Sequence, residues 1–160
     1  MAIDMFIKIG DIEGESEDGK HAKEIDVLAW SWGMSQSGTT HMGGGGGAGK
    51  VSVQDLSITK FIDSATHALI QACSNGTHYP EAKLVVRKAG GKEALEYLKV
   101  TMKEVLVSSL STGGSGGEDR LTENVTLNFA EFKVEYTPQV GEGGGGAVKT
   151  ATWNIPKNEA

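Results

Sequence analysis

The segment Ile25-Asp-Val-Leu-Ala-Trp-Ser-Trp32 decides the fold of this chain. Its bulky residues Leu28, Trp30 and Trp32 alternate with smaller ones, and this period of two is typical of a β-strand. Because large aromatic side chains dominate the energetics of a protein core, we expect the bulky face to point inward. The other face carries small side chains and is predicted to form a smooth wall that faces outward: Val27, Ala29 and Ser31.

The composition predicts one acidic domain that does not bind nucleic acid. A chain of 160 residues is most simply a single domain, residues 1–160, and is long enough to bury a core. It contains 23 glycines and has a formal net charge of −6. Phosphate contacts need clustered Lys and Arg, so this balance argues against a nucleic-acid partner. The single cysteine, Cys73, excludes an internal disulfide and fits synthesis in a reducing compartment.

The N-terminal segment is not a signal peptide by its composition. Residues 1–10 lack a basic region and carry Asp4 and Lys8 among their apolar residues. No apolar run approaches membrane-spanning length, so no membrane insertion is predicted. We expect a soluble protein that leaves the cell, if it does, by a route that needs no signal peptide.

Alternation of apolar and polar residues predicts strands along most of the chain. These strands cover residues 3–9, 25–32, 51–59, 82–88, 94–107, 125–136 and 151–155. Changes in the apolar phase predict a β-bulge near Gln54 and Asp55 and a second bulge near Ala130. Polar or glycine-rich connections are predicted at residues 10–23, 36–50, 111–117 and 141–146.

One helix is predicted at about residues 63–75. Asp63 or Ser64 suits the N-cap, and Gly76 suits the position that follows the C-terminus. The helix has one apolar face, made of Ala65, Leu69, Ala72 and Cys73. Many strands joined by glycine turns, with one helix, predict a mainly β fold: a compact β-barrel of two packed sheets with a flanking helix and long glycine-rich loops.

Gly44-Gly-Gly-Gly-Ala-Gly-Lys50 matches most of a phosphate-binding P-loop. Val51 stands where the magnesium-binding Ser or Thr belongs, and strand periodicity follows where a helix is required. A run of glycines matches this pattern by composition, so nucleotide binding is not predicted.

Gly113-Gly-Ser-Gly-Gly117 matches the nucleophile elbow of hydrolases, with Ser115 as the nucleophile. That motif needs a tight strand-to-helix turn, whereas a polar turn and a strand follow here. A simple turn is the preferred interpretation. A hydrolase built on Ser115 is kept as an alternative hypothesis.

No metal site is predicted from the sequence. His21, His41, His67 and His78 are scattered without ligand spacing, and Cys73 lies on a different helical face from His67. The acidic run at residues 13–24 lacks the ordered spacing of a calcium loop, so a solvated loop is expected.

Several segments, spread in order along nearly the whole chain, resemble the hemolysin-coregulated proteins, called Hcp. These segments are Met1-Ala-Ile-Asp-Met-Phe-Ile-Lys-Ile-Gly10, Trp30-Ser-Trp32-Gly-Met-Ser-Gln36, Val53-Gln-Asp-Leu-Ser57, Ala72-Cys-Ser-Asn-Gly76, His78-Tyr-Pro80, Leu106-Val-Ser-Ser-Leu-Ser-Thr-Gly-Gly114 and Leu121-Thr-Glu-Asn-Val125.

The resemblance implies a structural role in the bacterial type VI secretion system. Subunits of that family are β-barrels with a flanking helix that assemble into hexameric rings. The rings stack into an inner tube, which is expelled from a contractile sheath with its spike and cargo. Some members hold and protect effector proteins in the channel. The resemblance implies no catalytic residue, cofactor or metal, and it explains export without a signal peptide.

Alternatives remain open at this stage. An acidic β-domain without a signal peptide also fits a non-enzymatic secreted binding module for carbohydrate or a small ligand, without ring assembly. Within the ring hypothesis, alternation places Ser31 outside the subunit core, where it would line the channel and contact effectors. An outer surface or a subunit contact is the other possible position for Ser31.

Glycine turns are the candidate ring-stacking loops. We expect the loop at residues 36–50 to project from one rim and to become ordered against the next ring, with the glycine pair of a hairpin turn as another stacking surface. A passive connection is the alternative. The candidate stacking residues are Gly43, Gly44, Gly45, Gly46, Gly47, Gly90 and Gly91.

Overall fold

The computed structural model describes residues 3–38, 48–88, 94–140 and 144–160. Their elements, in chain order, are β1 (Ile3–Ile9), β2 (Ile25–Asp26), β3 (Ala29–Ser31), β4 (Met34–Gly38), β5 (Ala48–Val53), β6 (Leu56–Phe61), α1 (Thr66–Asn75), β7 (His78–Lys88), β8 (Leu95–Thr112), β9 (Thr122–Asn128), β10 (Glu131–Tyr136), β11 (Gln139–Val140), β12 (Gly144–Gly145) and β13 (Lys149–Asn154). The prediction of a mainly β fold with one short helix is confirmed.

One large sheet carries most of the strands, in the order β2-β1-β7-β8-β9-β6-β3. Along one edge, β8 pairs first with β10 and then with β9. β13 pairs with β10. The two ends of this order meet through consecutive residues, because the N–H of Val27 donates to Met5 O at 2.9 Å and the N–H of Leu28 donates to Thr59 O at 2.8 Å. The sheet therefore curls around its core, although β2 and β3 are separate strands and the described ladder is not continuous there.

The prediction of one strand over residues 25–32 is wrong at its centre. β2 pairs with β1, whereas β3 pairs with β6, so the chain crosses between two sheet edges at Val27 and Leu28. The crossing reverses the predicted faces: Val27 is buried and Leu28 is 41% exposed. Beyond the crossing the alternation is as expected, because Trp30 and Trp32 pack against the core.

The predicted bulge near Gln54 and Asp55 is instead a change of sheet. β5 ends at Val53 and pairs with β4, and β6 begins at Leu56 and pairs with β9 and β3. The apolar phase moves at this point because the chain leaves one pair of strands and enters another.

The predicted bulge near Ala130 is a break between β9 and β10. The N–H of Ala130 donates to Lys103 O at 2.9 Å, and the adjacent Glu104 has a φ of 55°. β8 and the chain opposite it, between β9 and β10, therefore both depart from regular strand geometry at this position. The pair of β8 and β9 does contain a register shift, which lies in β8 between Val107 and Ser109.

The predicted loop at residues 36–50 overlaps two strands. β4 and β5 pair at Gln36 with Val51 and at Gly38 with Ala48, so both ends of that range are strand. The stacking candidates Gly43, Gly44, Gly45, Gly46 and Gly47 lie outside the described residues, as do Gly90 and Gly91. β7 and β8 pair up to Lys88 and Leu95, as expected for the two arms of a hairpin.

The helix packs on the inner side of the sheet through the predicted face. Ala65, Leu69 and Ala72 are buried, and Gly76 follows the helix with a φ of 70°, which favours glycine. The helix begins later than predicted, at Thr66, with Ala65 at the N-cap. The Asp63 carboxylate still satisfies one backbone donor, since it accepts the N–H of Ala65 at 2.9 Å.

The acidic connection is not the solvated loop that the sequence predicts. Residues 11–24, which we call the strap, lie over β1 and β7, and alternate positions such as Ile12 and Ser16 are buried. The strap returns so close to itself that a Cβ atom on Gly14 would lie 2.6 Å from Glu24 O. Arg87 of β7 fixes the strap by binding both carboxylate oxygens of Asp18, at 2.6 and 3.0 Å.

Candidate functional site

The exposed face of strands β3, β6, β9 and β8 carries two rows of small, uncharged side chains. In the first row Ser31 pairs with Ser57, Ser57 with Thr126, and Thr126 with Ser109. Residues directly opposite each other on neighbouring strands share a face. We call this surface the polar wall, and it consists of Ser31, Ser57, Thr126 and Ser109 with the second row Ala29, Thr59, Asn124 and Ser111.

Hydrogen bonds within the polar wall satisfy several of its side chains. Thr126 Oγ1 lies 2.6 Å from Ser109 Oγ and 2.7 Å from Ser108 Oγ, while Thr59 Oγ1 donates to Asn124 Oδ1 at 2.8 Å. The register shift in β8 explains why two successive serines reach the same threonine. These bonds leave a neutral surface whose polar groups partly satisfy one another.

A fixed carboxylate borders one end of the polar wall. Asp55 Oδ2 accepts a hydrogen bond from Ser108 Oγ at 2.6 Å, and Asp55 Oδ1 accepts one from Asn128 Nδ2 at 2.9 Å. Two donors on neighbouring strands therefore set the orientation of this carboxylate. It supplies a charged acceptor beside a surface whose own side chains carry no charge.

A buried ionic group supports the polar wall from behind. Lys60 and Glu123 are paired residues of β6 and β9, and both side chains point into the core. Lys60 Nζ binds Glu123 Oε2 and also Asp63 Oδ1, the latter at 2.9 Å. Thr66 Oγ1 of the helix donates to the same Glu123 oxygen at 2.7 Å. The start of α1 is thereby joined to two strands of the wall.

Ser31 is the predicted site residue that the structure places on this surface. It is exposed on β3, opposite Ser57. Sequence reasoning missed its companions on β6, β8 and β9. The signal was present, since Ser57 and Thr59 alternate with buried Leu56 and Ile58 in the same period-two pattern.

The enzyme motifs do not meet their structural requirements. Ser115 lies on a turn between β8 and β9, where the N–H of Glu118 donates to its carbonyl at 3.1 Å, so no helix follows the serine. The Lys50 that ends the P-loop match lies within strand β5. In the described part of the chain, no three or more His, Cys, Asp or Glu side chains are grouped so that they could hold a metal ion.

The described helix is too short to cross a membrane.

Comparisons with known proteins agree on one family. The family described as "Type VI secretion system effector, Hcp" matches residues 6–136. "Protein hcp1" of Pseudomonas aeruginosa is 70% identical over 160 residues, which is 99% of this chain and 98% of that protein. The structure of Hcp1 from Salmonella typhimurium is 42% identical and superposes with a TM-score of 0.82, with 99% of each chain covered.

A second solved structure, described as that of a type six secretion system protein, superposes more closely, with a TM-score of 0.92. It is 32% identical, and 99% of each chain is covered. The family match covers most of the sequence, and the likeness of both structures extends over almost the whole chain. The chain therefore belongs to the Hcp family of the type VI secretion system.

Proposed function

We propose that the chain is a structural, non-enzymatic subunit of the type VI inner tube. In this proposal hexameric rings stack within the sheath behind the spike, carry and protect effector proteins in their channel, and are secreted with them without a signal peptide. The polar wall is the observation that carries the proposal. It is a sheet face of small, uncharged side chains on one side of the subunit.

The edges of the polar wall support closure into a ring. Among the described residues β3 pairs only with β6, and β8 pairs only with β9 beyond Leu106. The four-stranded wall therefore has an unpaired edge at each end. Unpaired strand edges recruit other chains, and a closed ring covers every such edge with a neighbouring subunit.

The chemistry of the polar wall suits the lining of a transport channel. Short side chains leave room for a protein cargo, and the hydrogen bonds among Thr59, Asn124, Ser109 and Thr126 reduce the number of free polar groups that could hold it. Disruption of a buried, hydrogen-bonded charge pair at an interface speeds dissociation, so a lining without such pairs favours reversible binding. A cargo would be retained by many weak contacts and released when the ring comes apart.

The oligomeric mass tests this proposal most directly. Size-exclusion chromatography with light scattering should show a discrete multiple of the 16.8 kDa chain, and electron micrographs should show rings. A monomer at micromolar concentration would contradict the tube assignment and favour the binding-module alternative instead.

Enlarging Ser31 is expected to affect cargo and not assembly. Ser31→Gln adds a longer side chain to the exposed row of the polar wall, so effector accumulation in a type VI-competent host should fall while the ring mass stays unchanged. The matched control is Thr152→Gln, which enlarges an exposed residue of β13, a strand outside the wall. Equal loss in both variants, or loss of the ring in Ser31→Gln, would show that Ser31 does not act through the channel.

The glycine segments remain our proposed stacking contacts. Strands β4 and β5 pair with each other, and the residues that connect them in the chain, 39–47, lie outside the described residues. Ordering a glycine-rich segment costs about 1–2 kcal/mol per residue, so single contacts would be weak, but a ring presents several copies at once. Micrographs of a variant shortened at Gly43–Gly47 should show intact rings and fewer stacks. Normal tube formation and export in that variant would assign stacking to other surfaces, such as the Gly90-Gly91 turn.

A further inference from the structure

The strap has a second attachment besides Arg87, and it is a buried histidine between two carboxylates. His21 is 7% exposed. Its Nδ1 lies 3.0 Å from Glu24 Oε2 in the strap, and its Nε2 lies 3.0 Å from Glu96 Oε1 on β8. The imidazole also stacks on Phe6 of β1, with ring centroids 4.5 Å apart and an angle of 13° between the planes. One side chain thus joins the strap to two strands of the sheet.

The number of protons on this imidazole decides whether both contacts are favourable. A neutral imidazole carries one N–H, so it donates to one carboxylate and turns a lone pair toward the other. An imidazolium donates from both nitrogens. Because His21 is buried, little water is available to replace a lost donor. Histidine is the side chain whose charge ordinarily changes between about pH 5 and pH 8.

The other charges around His21 are already paired. On β7, Arg87 lies 5.1 Å from the centroid of the Phe6 ring and binds Asp18 of the strap and Asp4 of β1. The hydrogen bond from Arg87 holds the pKa of Asp18 well below its usual range and raises the pKa of Arg87 itself. This first attachment therefore stays ionised throughout the range in which histidine titrates. Glu24 and Glu96 are the carboxylates that contact His21 directly.

We propose that His21 is a proton-dependent latch for the strap. While the imidazole carries both protons, the latch holds the strap to Glu96. Loss of one proton breaks one of the two contacts and loosens the part of the strap near His21, whereas the Arg87 attachment remains. Glu96 pairs with Arg87 next to the last residue pair of β7 and β8, Lys88 with Leu95, so opening also removes a contact from that end of the two strands. This inference concerns the single subunit and does not depend on the tube.

Amide hydrogen exchange in the intact protein tests the latch. The amide of Lys23 donates to Ser16 O at 2.8 Å and that of Glu24 to His21 O at 3.2 Å, so both report on the strap. After correction for the intrinsic exchange rate, their protection should fall by about tenfold when the pH is raised until the imidazole loses one proton, the factor that corresponds to one net charge-assisted hydrogen bond. The Leu69 amide in the helix, bonded to Ala65 O, should not respond.

A matched substitution separates the latch from a general effect of pH. In Glu96→Gln the amide can accept from an N–H or donate to a bare nitrogen, so it suits either state of His21 and the pH dependence should be lost. Glu81→Gln, an exposed position on β7, should keep it. Strap protection that does not vary with pH in the parent protein would overturn the proposal. Full pH dependence in Glu96→Gln would overturn it as well.

Discussion

Replacement of Lys60 by methionine is expected to lower the free energy of unfolding by about 3–5 kcal/mol. The Lys60 side chain is fully buried, and its ammonium group binds the equally buried Glu123 and the nearby Asp63. Removal of the ammonium leaves two carboxylates close together in the interior without a counter-charge. The penalty for an uncompensated buried charge exceeds what the pair itself contributes to stability.

Denaturant unfolding at one fixed protein concentration measures this effect, because assembly adds to the apparent stability. The double variant Lys60→Met/Glu123→Leu provides the control. It replaces the buried pair with apolar groups, so it should recover much of the loss. If the double variant is less stable than Lys60→Met by a further 3 kcal/mol or so, the pair is not the source of the effect and packing at these positions is.

Truncation of Leu69 to alanine is expected to cost about 2–5 kcal/mol. Leu69 is fully buried where α1 packs against the sheet, and removal of its side chain leaves a cavity in addition to the lost transfer free energy. The helix has ten residues, which is too short to be stable in water without such packing. We therefore expect a local loosening of α1 together with the global loss.

The neighbouring residue Ile70 offers a matched comparison in the same helix. Its side chain is 43% exposed, so Ile70→Ala removes a similar volume without opening a buried cavity. Thermal or denaturant unfolding of the two variants should separate them by more than about 1.5 kcal/mol. Equal losses would mean that burial of Leu69 does not determine the contribution of α1, because alanine has the highest helix propensity and propensity alone would destabilise neither variant.

The sequence was sufficient where local periodicity and local packing coincide. β1, the apolar face of the helix and the αL position of Gly76 are all readable from neighbouring residues. The outward orientation of Ser31 was likewise readable, because β3 keeps its alternation after the crossing. What Ser31 faces in an assembly is a different matter, since alternation defines a face and not its surroundings.

The sequence was insufficient where distant segments meet. Val27 and Leu28 are adjacent, yet they donate to different strands, and this reverses the face that simple alternation predicts. The charges of the strap dominate its local pattern and predict a solvated loop, although Ile12 and Ser16 are buried between the charged residues. The partners Lys60 and Glu123 are far apart in the chain, so no local pattern indicates that either is buried.

The length of β8 has a mechanical consequence. This strand of 18 residues pairs with β7 on one edge and with β10 and then β9 on the other, so one continuous backbone belongs both to the region of the sheet formed with β7 and β10 and to the polar wall. At about 3.3 Å per residue it spans roughly 60 Å when extended. A pull along this strand is resisted in shear by many backbone hydrogen bonds acting together, whereas a pull across an edge would break them one after another. Load along β8 is thus carried by covalent bonds from one region of the sheet to the next and does not have to pass through side-chain contacts.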